Sequence, residues 1–226
     1  MSEKLITESI VQHSRVLESL DQDIIGRAAQ LIVESIHNNS KIFWCGNGGS
    51  ASQANHLSAE LVGGMYQEKT KPCQSICLNV DTAFITAWSN DDSFNNIFVR
   101  QLEALSNNGD ILIVLSTSGN SSNIVNATKF AQSNGLTVIS LTGNDGGEVK
   151  ISSDININIH SDNTQRIQEI HILVGHIICE LIENPDFAKK IAQGGHQQFL
   201  KNFTIKKIVD NLCSIYDEAI NQSQNK

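Results

Sequence analysis

The chain has 226 residues, of which 40% are hydrophobic and 18% charged, and its formal net charge is −8. This length suits one domain with a core of its own. The acidic balance argues against general nucleic-acid binding, which needs clustered Lys and Arg. No apolar stretch reaches the ~20 residues of a membrane span. The cysteines are odd in number and form no CxxC pair, which is typical of reduced thiols. We therefore expect a soluble cytoplasmic protein with neither a nucleic acid nor a membrane as partner.

The N-terminal segment predicts two helices. Apolar residues recur at intervals of three and four through residues 5–20 and 23–39, as in amphipathic helices. Asp21 lies between the two stretches, where its carboxylate can cap the second helix. The pattern then changes at residue 41, where a short apolar run leads into a glycine-rich loop. Strands and helices are therefore expected to alternate from that point.

The remainder of the chain predicts alternating strands and helices. Strands are expected at 41–45, 75–80, 110–115, 136–143 and about 153–160, and helices at 53–65, 82–105 with a break at 90–92, 122–134 and 164–183. Unbroken apolar strands that alternate with helices indicate a parallel sheet covered on both faces. We predict an α/β fold, a doubly wound parallel sheet flanked by helices, over residues 1–183. Residues 184–226 are predicted to form a helical extension of unknown role.

Two polar loops follow predicted strands and open predicted helices. They are CGNGGS (45–50) and STSGNSSN (116–123). The free N–H groups and positive dipole of a helix start attract anions, and hydroxyl groups there add donors. Ser, Thr and Asn are equally suited to turns and helix caps, so each loop alone also fits a purely structural role. Two such loops at the carboxyl edge of one parallel sheet favour an anion site.

Two pairs of polar side chains could contribute metal ligands. His56 and Glu60 are four residues apart, on one face of a predicted helix. Gln168 and His176 are eight apart on a later helix and can face one side of it. The alternatives are a surface hydrogen-bonding pair for the first two and a core histidine for His176. Glu169 and His171, in the same helix, receive no function.

Together these segments resemble the sugar isomerase (SIS) domain family and, within it, the phosphoheptose isomerases. The resemblance runs from the N-terminal helices to about Glu183. It rests on CGNGGSASQANHLSAEL, SNDDSF, GDILIVLSTSGNSSN, LTGNDGG and RIQEIHILVGHIICELIE. The resemblance implies an aldose–ketose isomerase that converts D-sedoheptulose 7-phosphate to D-glycero-D-manno-heptose 7-phosphate. That product would be a precursor for lipopolysaccharide or capsule.

The resemblance also implies roles for individual residues. It implies one Zn²⁺ per subunit held by His56, Glu60, Gln168 and His176, with Glu60 and His176 as the catalytic acid–base pair. It implies a phosphate site at Ser116, Thr117, Ser118 and Ser121. Glu60 and Gln168 would also contact the substrate, along with Asn47, Gly48, Gly49, Ser50, Asn90 and Asp91. The assembly implied is a homotetramer with active sites shared between subunits.

Other functions remain open at this point. A non-catalytic SIS protein that binds a replication initiator or another partner would share the same loops, although the presence of both Glu60 and His176 favours an enzyme. A sugar-phosphate-sensing regulator would need a DNA-binding domain, and nothing basic precedes the predicted sheet. An isomerase of another sugar phosphate also fits, because a phosphate loop does not select for the number of carbons.

Overall fold

The structure, a computed structural model, describes residues 2–65, 72–184 and 186. Its helices are α1 (Ser2–Glu18), α2 (Gln22–His37), α3 (Gly49–Gly63), α4 (Thr82–Asp91), α5 (Ile97–Leu105), α6 (Ser122–Ser133) and α7 (Thr164–Glu183). Its strands are β1 (Ile42–Gly46), β2 (Ser75–Cys77), β3 (Ile111–Ser116), β4 (Thr137–Gly143) and β5 (Ile155–Ile159). Short 3₁₀ turns span Phe94–Asn96 and Val149–Ser152. The predicted helical extension, 184–226, lies outside the described residues except for Asn184 and Asp186.

The strands form one parallel sheet in the order β2-β1-β3-β4-β5. One face packs on α5 and α6 through a buried cluster that includes Phe43, Leu112, Val138, Phe98 and Ile124. Helices α2, α3 and α7 cover the other face, and α1 packs on α7. The predicted doubly wound α/β fold is therefore confirmed. No helix among the described residues is long and apolar enough to cross a membrane.

Among the described residues, the predicted elements are all present, with ends that differ from expectation by a few residues; α3, for example, begins at Gly49 and not at residue 53. Asp21 caps α2, since its carboxylate accepts hydrogen bonds from Asp23 N and Ile24 N. The strand expected at 75–80 ends at Cys77, because the Asn79 amide bonds both the N–H and the carbonyl of Gly46 and replaces the strand ladder there. The break expected at 90–92 falls after Asp91, where α4 ends.

Candidate active site

The Asn47–Ser50 loop joins β1 to α3 at the carboxyl edge of the sheet. Gly48 has φ +56°, a left-handed conformation that favours glycine, and it precedes the first turn of α3. A Cβ atom on Gly49 would lie 2.7 Å from the Gln168 amide nitrogen. A side chain at residue 49 would therefore displace the end of the Gln168 side chain from its present position. Gly48 and Gly49 are exposed, Asn47 is half-buried and Ser50 is buried.

Helices α3 and α7 run parallel and touch along their length. Gln53 donates a hydrogen bond to the carbonyl of Gln168. One turn further on, Leu57 packs against Gly175, where a Cβ atom would clash with the Leu57 side chain. Gly175 thus permits the close approach of the two helices immediately before His176. The groove between them is formed by side chains from both helices.

Three possible metal ligands meet in this groove. His56 Nε2 lies 2.8 Å from His176 Nε2 and 3.4 Å from Glu60 Oε1. One ligand atom from each of the three residues lies within 4.8 Å of the others. Glu60 is the carboxylate of the cluster, and the two imidazoles can offer lone pairs. The arrangement can hold a metal ion or transfer protons.

The loop from Ser116 to Ser121 joins β3 to α6. Ser116 Oγ accepts a hydrogen bond from Gly119 N, and Ser118 Oγ accepts one from Asn120 N. Each hydroxyl therefore keeps its own proton available for an anion. Ser121 stands at the N-cap of α6 but makes no capping hydrogen bond with its side chain. Ser118 is exposed, Thr117 and Ser121 are half-buried, and Ser116 is buried.

The helix starts at the two loops differ from most others in the fold. The side chains of Asp21, Asp81 and Asn163 cap α2, α4 and α7. Neither α3 nor α6 has a side-chain cap; α5 also lacks one, but it continues directly from a 3₁₀ turn. The N–H groups of Ser50, Ala51 and Ile124 bond carbonyl oxygens of the preceding loops. Among the described residues, those of Gly49, Ser122 and Asn123 are left for another acceptor, and a bound anion satisfies such groups.

Comparison with known proteins decides the family. The SIS domain profile matches residues 7–143. The phosphoheptose isomerase of Aliarcobacter butzleri is 45% identical over 171 residues, which cover 76% of this chain and 89% of that protein. The phosphoheptose isomerase of Helicobacter pylori strain P12 is 44% identical over 194 residues, which cover 84% of this chain and 100% of that protein. The chain belongs to the phosphoheptose isomerase family of SIS-domain proteins.

Solved structures of this family have the same fold. The phosphoheptose isomerase GmhA from Neisseria gonorrhoeae superposes with a TM-score of 0.74 at 35% identity, covering 80% of this chain and 98% of that one. A phosphoheptose isomerase from Francisella tularensis gives a TM-score of 0.75 at 36% identity, covering 81% and 98%. The family resemblance noted in the sequence is thus confirmed.

The remaining predicted site residues lie apart from the three-residue cluster. Gln168 is two turns before His176 on α7, with its amide against Gly49, and no hydrogen bond joins that amide to the cluster within the described residues. Asn90 and Asp91 end α4, where both are exposed and Asn90 donates to Asp91. One chain thus joins the two loops through Asn47 and Asn123 and forms the three-residue cluster between α3 and α7.

Burial fixes the protonation state of two further groups near the site. Burial lowers the pKa of His171 to about 4, although a hydrogen bond between its Nε2 and the Thr142 carbonyl partly opposes the shift. Burial raises the pKa of the Cys179 thiol to about 12, and the negative charge of Glu60 adds to the shift. Both groups are therefore neutral near pH 7 and serve as packing. Cys45 and Cys179 are both completely buried in the core.

Two further residues at the site, Gln53 and Asn123, are not among the site residues predicted from the sequence. Gln53 links α3 to α7, and Asn123 bonds the side chain of Asn47. The periodicity of α3 offered one signal for Gln53, which precedes His56 by three residues and so shares its face. Asn123 could have been noticed as the last residue of the STSGNSSN segment.

Proposed function

We propose that the protein is an aldose–ketose isomerase that converts D-sedoheptulose 7-phosphate to D-glycero-D-manno-heptose 7-phosphate. The observation that carries the proposal is the His56–Glu60–His176 cluster between α3 and α7. It belongs to a chain 45% identical to a phosphoheptose isomerase. The two uncapped helix starts add anion-binding capacity for the phosphate of the substrate. We further propose that the reaction takes place in the cytoplasm and supplies heptose for lipopolysaccharide or capsule.

We propose Zn²⁺ as the metal, one ion per subunit, held by His56, Glu60, Gln168 and His176. Imidazole nitrogens and a carboxylate oxygen are ligands that Zn²⁺ favours, and tetrahedral coordination separates ligand atoms by about 3.3–3.5 Å. The 3.4 Å between His56 Nε2 and Glu60 Oε1 fits that spacing. The two histidine nitrogens, 2.8 Å apart, would separate by about half an ångström to accept the ion.

In the proposed mechanism Glu60 is the base and His176 the partner acid. Glu60 takes a proton from C1 of the open-chain ketose and delivers it to C2. His176 gives a proton to the oxygen on C2 and accepts one from the oxygen on C1, which becomes the aldehyde. A bound Zn²⁺ would supply Lewis acidity toward the substrate oxygens. The two side chains can share one reaction centre because their ligand atoms lie within 4.8 Å of each other.

The phosphate is proposed to bind at the starts of α3 and α6. Ser116, Thr117, Ser118 and Ser121 supply hydroxyl donors on one side, and the Asn47–Ser50 loop supplies backbone N–H groups on the other. Asn90, Asp91 and Gln168 are proposed to contact the sugar.

We also propose a homotetramer with shared active sites. Helix α1 contributes no buried residue, and Leu5, Ile6 and Ile10 are 65%, 60% and 61% exposed. An apolar face of this kind suits a subunit interface. Sedimentation at micromolar concentration tests the assembly, and a monomer there would contradict it.

The function is tested by incubating the purified protein with sedoheptulose 7-phosphate, with added Zn²⁺ and, separately, with a chelator. We expect the aldose product with Zn²⁺ and its loss after chelation. A folded protein inactive under every condition would favour the non-catalytic, partner-binding alternative. If the protein isomerises another sugar phosphate instead, the assigned substrate is wrong and the assigned reaction class is right.

A further inference from the structure

The side chains of Asn47 and Asn123 form a reciprocal pair that joins the two loops. Asn47 Nδ2 donates to Asn123 Oδ1 at 2.8 Å, and Asn123 Nδ2 donates to Asn47 Oδ1 at 2.9 Å. Asn123 is 2% exposed and lies in the first turn of α6, whereas Asn47 is half-buried beside α3. The pair therefore bridges the carboxyl ends of the neighbouring strands β1 and β3.

The backbone fixes which way both amides point. Asn123 Oδ1 also accepts a hydrogen bond from the backbone N–H of Ile124, at 3.0 Å. That N–H also bonds the Ser121 carbonyl, but an amide nitrogen in place of Oδ1 would face it donor to donor at 3.0 Å, so the oxygen of Asn123 occupies this position. The nitrogen of Asn123 then faces Asn47, and only the oxygen of Asn47 can accept from it. The orientation of Asn47 thus follows from α6, not from its own loop.

This arrangement uses half of the hydrogen-bonding capacity of the Asn47 side chain. A carboxamide has two N–H donors and two lone pairs on its oxygen. Both oxygen lone pairs of Asn123 are occupied, by Asn47 and Ile124. Asn47 keeps one N–H and one lone pair without a partner among the described residues. A polar ligand between the loops would meet an amide already oriented.

We propose that Asn123 is a positioning residue for catalysis: it orients the Asn47 amide toward the sugar phosphate and locks the 47–50 loop to the 116–121 loop. The inference rests on the proposed function, in which Asn47 contacts the substrate. Asn123 itself touches no substrate, and its effect passes through Asn47. Removing either Asn47 or Asn123 should therefore remove the same interaction, the contact of the oriented Asn47 amide with the substrate.

The test is a double-mutant cycle on kcat/KM for sedoheptulose 7-phosphate, in the Zn²⁺-loaded full chain. We expect Asn123→Ala and Asn47→Ala each to lower kcat/KM by about tenfold or more. Adding Asn123→Ala to Asn47→Ala should change kcat/KM by less than about twofold, because the oriented group is already gone. Thr128→Val is the matched control. Thr128 is completely buried in the same helix and its hydroxyl bonds the Val125 carbonyl, so this variant should keep kcat/KM within about twofold.

Three outcomes separate the inference from the proposed function. An inactive wild-type protein would refute the function, and the inference with it. An active wild type whose two single losses multiply in the double variant would overturn the positioning role alone. So would an Asn123→Ala variant as active as the Thr128→Val control. If Asn123→Ala does not fold, Asn123→Ser, which keeps a hydroxyl acceptor for the Ile124 N–H, enters the same cycle.

Discussion

Two histidine–carboxylate pairs involve α7, and they differ in how their charge is balanced. Between α1 and α7, Glu169 accepts from His13 Nδ1 at 2.7 Å and from Arg166 at 2.6 Å, so each carboxylate oxygen has a donor. On α3, Glu60 forms an ion pair only with His56 among the described residues, and His56 in turn contacts His176 of α7. The first pair is neutralised by a guanidinium group, whereas in the second no Lys or Arg of the described residues pairs with Glu60.

The difference shows why proximity of histidine and carboxylate does not by itself identify a metal site. A carboxylate that already has two charge-assisted partners has no lone pair free for an ion in that direction. A cluster of two imidazoles and one carboxylate gains a full set of partners when a cation enters. The α1–α7 pair therefore holds two helices together, and the α3–α7 cluster is the better place for chemistry.

The largest expected effect comes from removing the acid or base of the α3–α7 cluster. Glu60→Gln and His176→Gln should each lower kcat for sedoheptulose 7-phosphate by ~10²–10⁴, the usual cost of losing a positioned acid or base. Both variants should remain folded by circular dichroism. Glu169→Gln makes the same chemical change in the other pair and should keep kcat within about threefold. Wild-type turnover by either cluster variant would contradict the catalytic role of the α3–α7 cluster.

The other histidine of α7 sharpens the contrast, since no hydrogen bond joins His171 to a carboxylate within the described residues. Its pKa of about 4 in the folded chain lies below the ordinary value of 6.5. Between these pH values the unfolded chain binds a proton that the folded chain does not, so stability falls as the pH falls. The loss amounts to about 3 kcal/mol across this window. Urea titrations at several pH values should give a flatter profile for His171→Gln, and an identical slope would contradict the assignment.

Zn²⁺ should bind the α3–α7 cluster and not the α1–α7 pair, and its binding should stabilise the folded chain. At a Zn²⁺ concentration of about 100 Kd, binding adds about 2.7 kcal/mol to the free energy of unfolding. This corresponds to a rise in Tm of roughly 5–10 °C for a chain of this size. His56→Ala should abolish the rise and His13→Ala should preserve it, as measured by thermal unfolding with and without Zn²⁺. Equal shifts in both variants would place the ion elsewhere.

The same contrast between satisfied and unsatisfied groups applies to the helix starts. Ser118→Ala or Ser121→Ala at the uncapped α6 should weaken substrate binding by roughly 1.5–3 kcal/mol, the value of a hydrogen bond to a charged group. Asn163→Ala at the capped α7 removes two capping bonds and should mainly lower the Tm. Unchanged substrate affinity in both serine variants, with intact folding, would count against the phosphate assignment.

Much of the fold follows from local patterns in the sequence. The five strands and the cap at Asp21 agree with expectation, because apolar runs and capping residues act over a few neighbours. The end of β2 does not, because the Asn79 side chain reaches Gly46 on another strand. His56 and Glu60 could be paired from helix geometry alone, whereas the separate functions of the two histidine–carboxylate pairs could not.

The sequence by itself determined the parallel sheet, the two loops at its carboxyl edge and the family. The tertiary structure decided which side chains meet. Helix α7 follows the edge strand β5 and packs over β4 onto α3, and Gly175 lets Leu57 come close enough for His176 to reach His56. Asn47 likewise finds Asn123 only when β1 and β3 are neighbours. Spacing along the chain specifies a helix face or a strand face. Contacts more than a hundred residues apart, such as His56 with His176, depend on how whole elements pack.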